Sequence, residues 1–536
     1  MKSNNKKFKV VFSFILIATL IAVVSSLLRY PSDIDSINFE NSDATYHTLL
    51  TMQAYDETDL SIHRFLPIVT LGNESDKNIS WGGTIPDKYG NYYYTSFSPA
   101  GYVLPYLFCK VFSLPISFES LYIFNSILYF ISIVLIEILI YLLFNKSKYR
   151  MHVTITSAFV YSLIPEVLFA MGIVYWHQSI MQIFLILQLI VFYLSRHSNK
   201  IIFYILFCVL CVINPYIEWT GYVANVGYAI AFILMYRKNL LKGFLWSIVI
   251  GILTFCSFII FSLHYLSVID KNEYIQALND RFMSRSVFRE PSFTGLINGY
   301  ITSFASSFLI IALLIIILII TYKGFGFVKN SIILQNKVIC FVALFSVLEN
   351  IILKEHAAYY TYDRMKLAIF ITILIADLLQ MLFMMIKPIK IFKLSFLLSI
   401  IAVLFISIFS YSYLKRMKVW TISYGYDNKL LANYITEKYE PKDSVYGLDT
   451  LQVRGYLNLL FHSSIYEQMS IESLSKISND KSCRYAVEIF VENDYWSLFK
   501  LNYIYIYDSH LNEYTKVFID NGEIMEVKTS IKEINP

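Results

Sequence analysis

Long apolar runs separated by loops of alternating charge constrain this chain more than any other feature. Six short segments carry Lys and Arg without acid: Lys2, Lys6, Lys7 and Lys9; Lys146, Lys148 and Arg150; Arg196 and Lys200; Arg237, Lys238 and Lys242; Lys323, Lys329 and Lys337; Lys387, Lys390 and Lys393. The loops between them carry acids, above all Asp33, Asp35, Glu40, Asp43, Asp56, Glu57 and Asp59. Apolar runs of about 20 residues match a bilayer core, and short loops rich in Lys and Arg stay cytoplasmic. The pattern predicts a multi-pass α-helical protein of the cytoplasmic membrane, with its N-terminus inside and its acidic loops outside. Hydrophobic residues make up 57% of the chain, above the roughly 45–50% of soluble domains.

The runs give about eleven transmembrane helices, at residues 9–28, 121–144, 153–173, 179–194, 201–216, 222–236, 244–268, 300–322, 338–353, 367–386 and 394–414. The first is too long for a signal-peptide core, and Leu28-Arg29-Tyr30-Pro31 lacks a small-residue cleavage site, so it reads as a retained helix. The transmembrane part is expected to fill residues 1–418, with a first outer loop at 29–118 and a second at 269–299. Residues 99–114 are apolar but short, which fits an interfacial or re-entrant segment. Lys415, Arg416 and Lys418 fall on the outer side as one exception to the charge trend.

From residue 419 to 536 the composition becomes that of a soluble extracytoplasmic α/β domain. Residues 444–448, 485–490 and 503–507 read as strands, and Asn521-Gly522 between two further strands is a strong hairpin signal. The net charge of +5 is spread over cytoplasmic loops, so no nucleic-acid partner is implied. The cysteines form no disulfide framework and no zinc spacing, and Cys208 and Cys211 lie inside an apolar run.

Residues able to carry chemistry gather in the outer segments. Asp43 and His47 are spaced to share a helix face. Asp43 suits either a helix cap or a general base acting on a hydroxyl. The aromatic run from Tyr92 to Tyr106 suits an interfacial belt or a platform for sugar or lipid. Arg281, Arg285 and Arg289 would line one helix face; they could hold the phosphate of a lipid carrier, attract acidic headgroups, or pair with Asp280 and Glu290. Glu166, Trp176, His177, Gln178, Glu218, Trp219, Glu349, Glu355, His356, Tyr360, Asp363 and Arg364 sit at the outer ends of helices, which suggests a polar cavity opening outward. Glu137 and Asp377 fall mid-helix and read as structural pairs or hydrogen bonds within the bundle.

A cytoplasm-to-outside first helix, an acidic outer loop, the segment Tyr94-Thr95-Ser96-Phe97-Ser98-Pro99, many helices and a soluble tail together resemble the GT-C integral membrane glycosyltransferases. The likeness is greatest to the bacterial branch of protein O-mannosyltransferases and aminoarabinose transferases. This resemblance implies a polyprenyl-phosphate sugar donor and a glycan, lipid or protein acceptor at the outer face, with membrane lipids around the protein. It makes Asp43 the catalytic residue, with Asp33, Asp35 and the Asp56-Glu57 pair as rivals. His177 and Gln178 stand where relatives often carry a second acid. His47, Glu218, Trp219 and His356 are supporting candidates, and Arg281, Arg285, Arg289 and Arg364 are candidates for the donor phosphate. A divalent metal, Mg or Mn, serves some relatives, but one Asp and one His do not define a site. A polymerase or ligase of surface polysaccharide and a membrane transporter are the alternatives. The tail weighs against the first. The lack of an inverted repeat or of paired broken helices weighs against the second.

Overall fold

The computed structural model describes residues 2–29, 42–80, 82–172, 175–198, 200–285, 293–302, 331, 336–385, 425–448, 454–495 and 498–530. They fold into two compact units. The first is Met1–Tyr30, Tyr122–Ser262 and Phe282–Arg416; the second is Pro31–Leu121, Leu263–Arg281 and Met417–Pro536. The segment read as the first outer loop, and the part of the second up to Arg281, thus fold with the C-terminal segment.

The first unit is helical. Among the described residues, three helices are long and apolar enough to cross a membrane: Phe118–Leu143, His177–His197 and Leu240–Leu266. The Leu240–Leu266 helix leaves Ile248, Ile252 and Phe255 exposed at 57%, 57% and 62%. These positions lie on one helical stripe, and a patch this apolar calls for lipid rather than water. The His177–His197 helix is instead an interior one, and it carries buried polar side chains into the bundle. Its Gln188 donates to Asn225 Oδ1 (3.0 Å) and accepts from Asn214 Nδ2 (2.6 Å), while Asn225 also bonds the Cys211 carbonyl (2.7 Å) and Thr254 (2.9 Å). Amide bonds of this kind tie helices together where lipid supplies no hydrophobic drive.

Two expected helices are broken. The run at 153–173 divides into Arg150–Ser162 and Pro165–Ala170. Ile164 is extended, as the residue before a proline prefers, and Pro165 opens the second piece. The run at 338–353 divides into Lys337–Phe345, a 3₁₀ turn at Ser346–Leu348, and Glu349–Ile352. The chain then forms Lys354–Tyr359, a 3₁₀ turn at Thr361–Lys366 and the helix Leu367–Met385. Asp377 accepts from Ser331 Oγ as expected of a bundle hydrogen bond. Glu137 is fully buried in Phe118–Leu143, and among the described residues neither of its carboxyl oxygens has a partner. Most of the expected eighth helix and all of the eleventh lie outside the described residues.

The second unit contains two sheets. In the first outer segment, β1 (Thr84–Pro86) pairs antiparallel with β2 (Tyr92–Tyr94), beside the helices Ser42–Glu57 and Ala100–Val111. The Ala100–Val111 helix occupies the segment expected to be interfacial. The C-terminal segment holds β3 (Ser444–Leu448), β4 (Ile465–Glu467), β5 (Tyr485–Tyr495), β6 (Leu498–Asp508), β7 (Glu513–Asp520) and β8 (Glu523–Thr529), in the order β4-β3-β5-β6-β7-β8. β3 runs parallel to β4 and β5, and the remaining pairs are antiparallel.

Alternation along the strands buries both faces of this sheet. Tyr446, Leu448, Val487 and Ile489 pack with Leu431, Leu457 and Phe461 on one face, and Val445 and Ala486 pack with Ile471 and Leu474 on the other. A Cβ at Gly447 would lie 2.5 Å from Leu474, so the glycine permits the close helix approach. The predicted hairpin forms with Asp520 opposite Glu523. Asn521 and Gly522 have φ of 49° and 82°, the pair a type I′ turn requires. β5 and β6 each run longer than their apolar cores predicted, because their pairing continues past a bulge.

The first outer segment packs on the C-terminal sheet within the same unit. Buried Asp76 accepts from Ser463 Oγ (3.0 Å) and the Ser464 amide. Lys481 Nζ donates to the Ser75 and Lys77 carbonyls at 2.6 and 2.7 Å. Tyr46, on the helix that carries Asp43, meets Tyr456 edge-on at 4.8 Å.

Candidate functional site

In the second unit, Asp43 occupies the first turn of the Ser42–Glu57 helix, where its charge complements the helix dipole. Its side chain keeps an exposed surface, yet the protein around it crowds out bulk water, and burial raises its carboxyl above the ordinary range against two backbone hydrogen bonds. One turn further, His47 is buried, with its ring edge-on to Tyr94 (4.6 Å) and tilted against Tyr102 (5.5 Å). Arg281 lies over the same Tyr94 ring at 5.4 Å and donates to the Gly82 carbonyl at 3.0 Å. Gly83 makes room for it: with φ of 78°, a Cβ there would lie 0.7 Å from the guanidinium. Tyr94 therefore links a residue of the first outer loop to one of the second. Tyr265 OH fastens this region by donating to the Tyr94 and Phe97 carbonyls at 3.0 and 2.8 Å.

The rival acids are differently engaged. Asp56 pairs with Lys110 and accepts from Tyr106 OH (3.1 Å). Glu57 accepts from Gln53 (2.7 Å) and the Gly72 amide (3.0 Å). Asp33 and Asp35 lie outside the described residues.

A second polar centre lies in the first unit around the turn Thr361–Lys366. Gln178 donates to Asp363 Oδ1 at 2.6 Å, and His356 Nδ1 approaches Asp363 Oδ2 at 3.4 Å. Lys366 pairs with Glu349 and donates to Thr220 Oγ1 at 3.0 Å, while the Thr220 amide donates to Glu218 at 2.9 Å. Gln178, Glu218, Thr220 and Lys366 line a cavity of only ≈ 10 Å³, about the room one water needs. Burial pushes the Asp363 carboxyl up, but Lys366, His356 and Gln178 outweigh it and hold it at about 2. Burial, helped by Arg285, lowers His356 against the pull of Asp363. Glu218 is raised by burial, with Lys366 opposing.

The remaining candidates are structurally engaged. His177, the first residue of its helix, is buried edge-on to Trp176 at 4.8 Å. Trp219 precedes the Thr220–Met235 helix and stacks on Tyr222 at 5.5 Å. Arg364 donates to the carbonyls of Ala357 (2.6 Å) and Ala358 (3.2 Å) and to Thr361 Oγ1 (3.2 Å). Arg281 and Arg285 share the helix Lys271–Arg285; Arg289 lies outside the described residues. Sequence reasoning did not single out Lys366 or the hub role of Tyr94. Lys366 was hidden because a lysine just before an apolar run reads as a boundary residue, and Tyr94 because its neighbours are far away in the chain. Among the described residues, no three His, Cys, Asp or Glu side chains converge.

The chain has the fold of the GT-C superfamily of membrane glycosyltransferases, as the sequence resemblance implied. Two solved structures similar to it are the archaeal oligosaccharyltransferase AglB from Archaeoglobus fulgidus and ArnT, an aminoarabinose transferase, from Cupriavidus metallidurans. AglB, in complex with an inhibitory peptide and a dolichol-phosphate, aligns over 90% of this chain and 70% of its own, with 13% identity and a TM-score of 0.53. ArnT, bound to undecaprenyl phosphate, aligns over 98% of this chain and 99% of its own, with 11% identity and a TM-score of 0.53. A further oligosaccharyltransferase structure from Archaeoglobus fulgidus, in complex with Zn and sulfate, aligns at 13% identity with a TM-score of 0.51. No family profile and no curated protein sequence matches the chain.

Proposed function

We propose that this protein is a membrane glycosyltransferase. It takes a sugar from a polyprenyl-phosphate carrier and passes it to an acceptor hydroxyl at the outer face of the cytoplasmic membrane. The observation that carries this reading is the Tyr94 ring, which contacts both His47, one turn from Asp43, and the Arg281 guanidinium. A base and a phosphate-binding cation are the two parts that transfer from a sugar phosphate needs. The ligands named for AglB and ArnT, a dolichol-phosphate and undecaprenyl phosphate, support a carrier of the same class.

The reaction is a single inverting displacement. The acceptor oxygen bonds to the anomeric carbon while the bond from that carbon to the phosphate oxygen breaks. Asp43 takes the hydroxyl proton, and its raised pKa makes it a stronger base than an ordinary carboxylate. The departing phosphate keeps the electron pair and is held by Arg281. Arg364 ranks below Arg281, because its guanidinium already serves three acceptors, two in the preceding short helix and one in its own turn. Asp56 and Glu57 rank below Asp43 because groups elsewhere in the fold engage them, Lys110 and Tyr106 for Asp56 and Gln53 and the Gly72 amide for Glu57, whereas the bonds to Asp43 come from the backbone of its own helix turn.

The test is transfer from a panel of undecaprenyl-phosphate sugars by the purified protein. Wild type is expected to transfer, and Asp43→Asn to lose about 10²–10⁴-fold in rate with folding unchanged. Arg281→Ala is expected to raise the donor KM about ten- to hundredfold. Undiminished transfer by Asp43→Asn would remove Asp43 as the base, and no transfer by wild type from any donor would overturn the reading.

A further inference from the structure

Within the second unit, the first outer segment and the C-terminal segment border a cleft of ≈ 560 Å³ that the proposed reaction does not use. It is a broad groove open to solvent rather than an enclosed pocket. Glu57, Gly72 and Asn73 come from the first segment, and Glu440, Lys442 and His462 from the second.

The walls are built to hydrogen-bond. Glu57 is fixed by Gln53 and by the Gly72 amide, each using one lone pair and leaving others open. A Cβ at Gly72 would lie 2.7 Å from the Glu57 carbonyl oxygen, so only glycine allows the two strands of chain to close this side. Lys442 pairs with Glu440 at 2.6 Å, with both side chains more than half exposed, and the ammonium keeps two further donors. His462 is exposed and held at φ of 47°, a left-handed conformation uncommon outside glycine. Its imidazole has no hydrogen-bond or ion partner among the described residues. Strain that presents an unused polar side chain to a cleft is the kind of feature found at binding sites.

Carboxylate, amide, ammonium and imidazole side chains line the cleft, and Pro441 is its one apolar side chain. Pro441 alone offers no deep apolar anchor for a lipid tail or an apolar peptide side chain. Two carboxylates against one lysine disfavour a polyanion. A neutral, hydroxyl-rich chain satisfies both conditions. We propose that this cleft binds the saccharide portion of the acceptor, a chain of neutral hexose or N-acetylhexosamine units. The word acceptor rests on the glycosyltransferase reading; the binding chemistry does not.

The experiment is a titration of the full-length protein in nanodiscs, without donor, with maltohexaose, mannohexaose and chitohexaose, read by saturation-transfer NMR. At least one is expected to bind wild type. His462→Gly, which removes the ring and suits the left-handed backbone, and Lys442→Ala are each expected to weaken binding about tenfold with unchanged thermal unfolding. No binding by any of the three saccharides, or equal binding by wild type and both variants, overturns the proposal. Saccharide binding without sugar transfer would keep the cleft and discard the transferase reading. Transfer indifferent to both substitutions would do the reverse.

Discussion

Lys366 illustrates how burial and charge are balanced in the membrane-associated unit. Burial alone would lower its pKa, but Glu349, Asp363 and Glu218 outweigh burial and raise it above the ordinary lysine value. It is 3% exposed, so little water compensates its charge or theirs. Removing one member of a buried pair leaves the other uncompensated, at a cost of about 3–5 kcal/mol. Lys366→Met is expected to destabilise the protein by that amount in denaturant unfolding in nanodiscs, and adding Glu349→Gln should recover part of it. An unchanged midpoint for the single variant would mean that the pair carries no net stabilisation. The charge of Lys366 was visible in the sequence, but its partners were not. Glu218 is 148 positions away by chain number (366 − 218), and only the packing of separate helices brings it near.

At the scale of elements, the turn after the short helix Leu60–His63 shows how a strained stretch is held. Arg64 and Phe65 have consecutive positive φ values of 46° and 60°. His63 Nδ1 accepts the Phe65 amide at 2.9 Å, Tyr55 OH donates to the Phe65 carbonyl at 2.8 Å, and Arg64 donates to the Ser267 carbonyl at 3.0 Å. The His63 acceptor works only as neutral imidazole, and burial, against Asp59, lowers its pKa to about 4. The folded value lies below the unfolded one of about 6.5. Its contribution is therefore complete above about pH 6.5 and is lost as pH falls through about 4. His63→Asn keeps an acceptor without titrating. It should flatten the acid limb of thermal stability between pH 6.5 and 4; an unaltered limb would assign that limb to other groups. Nothing in the local sequence signals this turn, because neither Arg nor Phe favours a left-handed backbone. By contrast, Asn521-Gly522 was legible, since both residue types favour the conformation their turn needs.

On the scale of the whole molecule, the coupling of the first outer segment to the C-terminal sheet gives the tail a role. Asp76 is fully buried and receives two hydrogen bonds from Ser463 and Ser464. Hydrogen bonds to a charged group contribute about 1.5–3 kcal/mol. Asp76→Ala is expected to loosen this contact by about 2 kcal/mol, read as faster amide exchange around residues 74–77 and 463–464 with the helical unit unaffected. Unchanged exchange at both stretches would show that other contacts suffice. Since the Asp43 helix also meets this segment through Tyr46 and Tyr456, the tail braces the element that carries the proposed base.

What the sequence determined alone was whatever depends on solvent and on local geometry. Apolar runs and charge bias gave the helical membrane class, since a bilayer leaves few other ways to satisfy a backbone. Period-two alternation and turn residues gave several strands and the last hairpin. The segment that opens at Asp43 was legible as a helix, with His47 one turn on. Tertiary structure alone decided which distant polar groups meet: His47 and Arg281 at Tyr94, Gln178 and His356 at Asp363, and Glu349 with Lys366. It also decided that the segment read as the first outer loop, with the second up to Arg281, folds with the C-terminal segment. Such pairings follow from packing between elements far apart in the chain, and no local propensity encodes them.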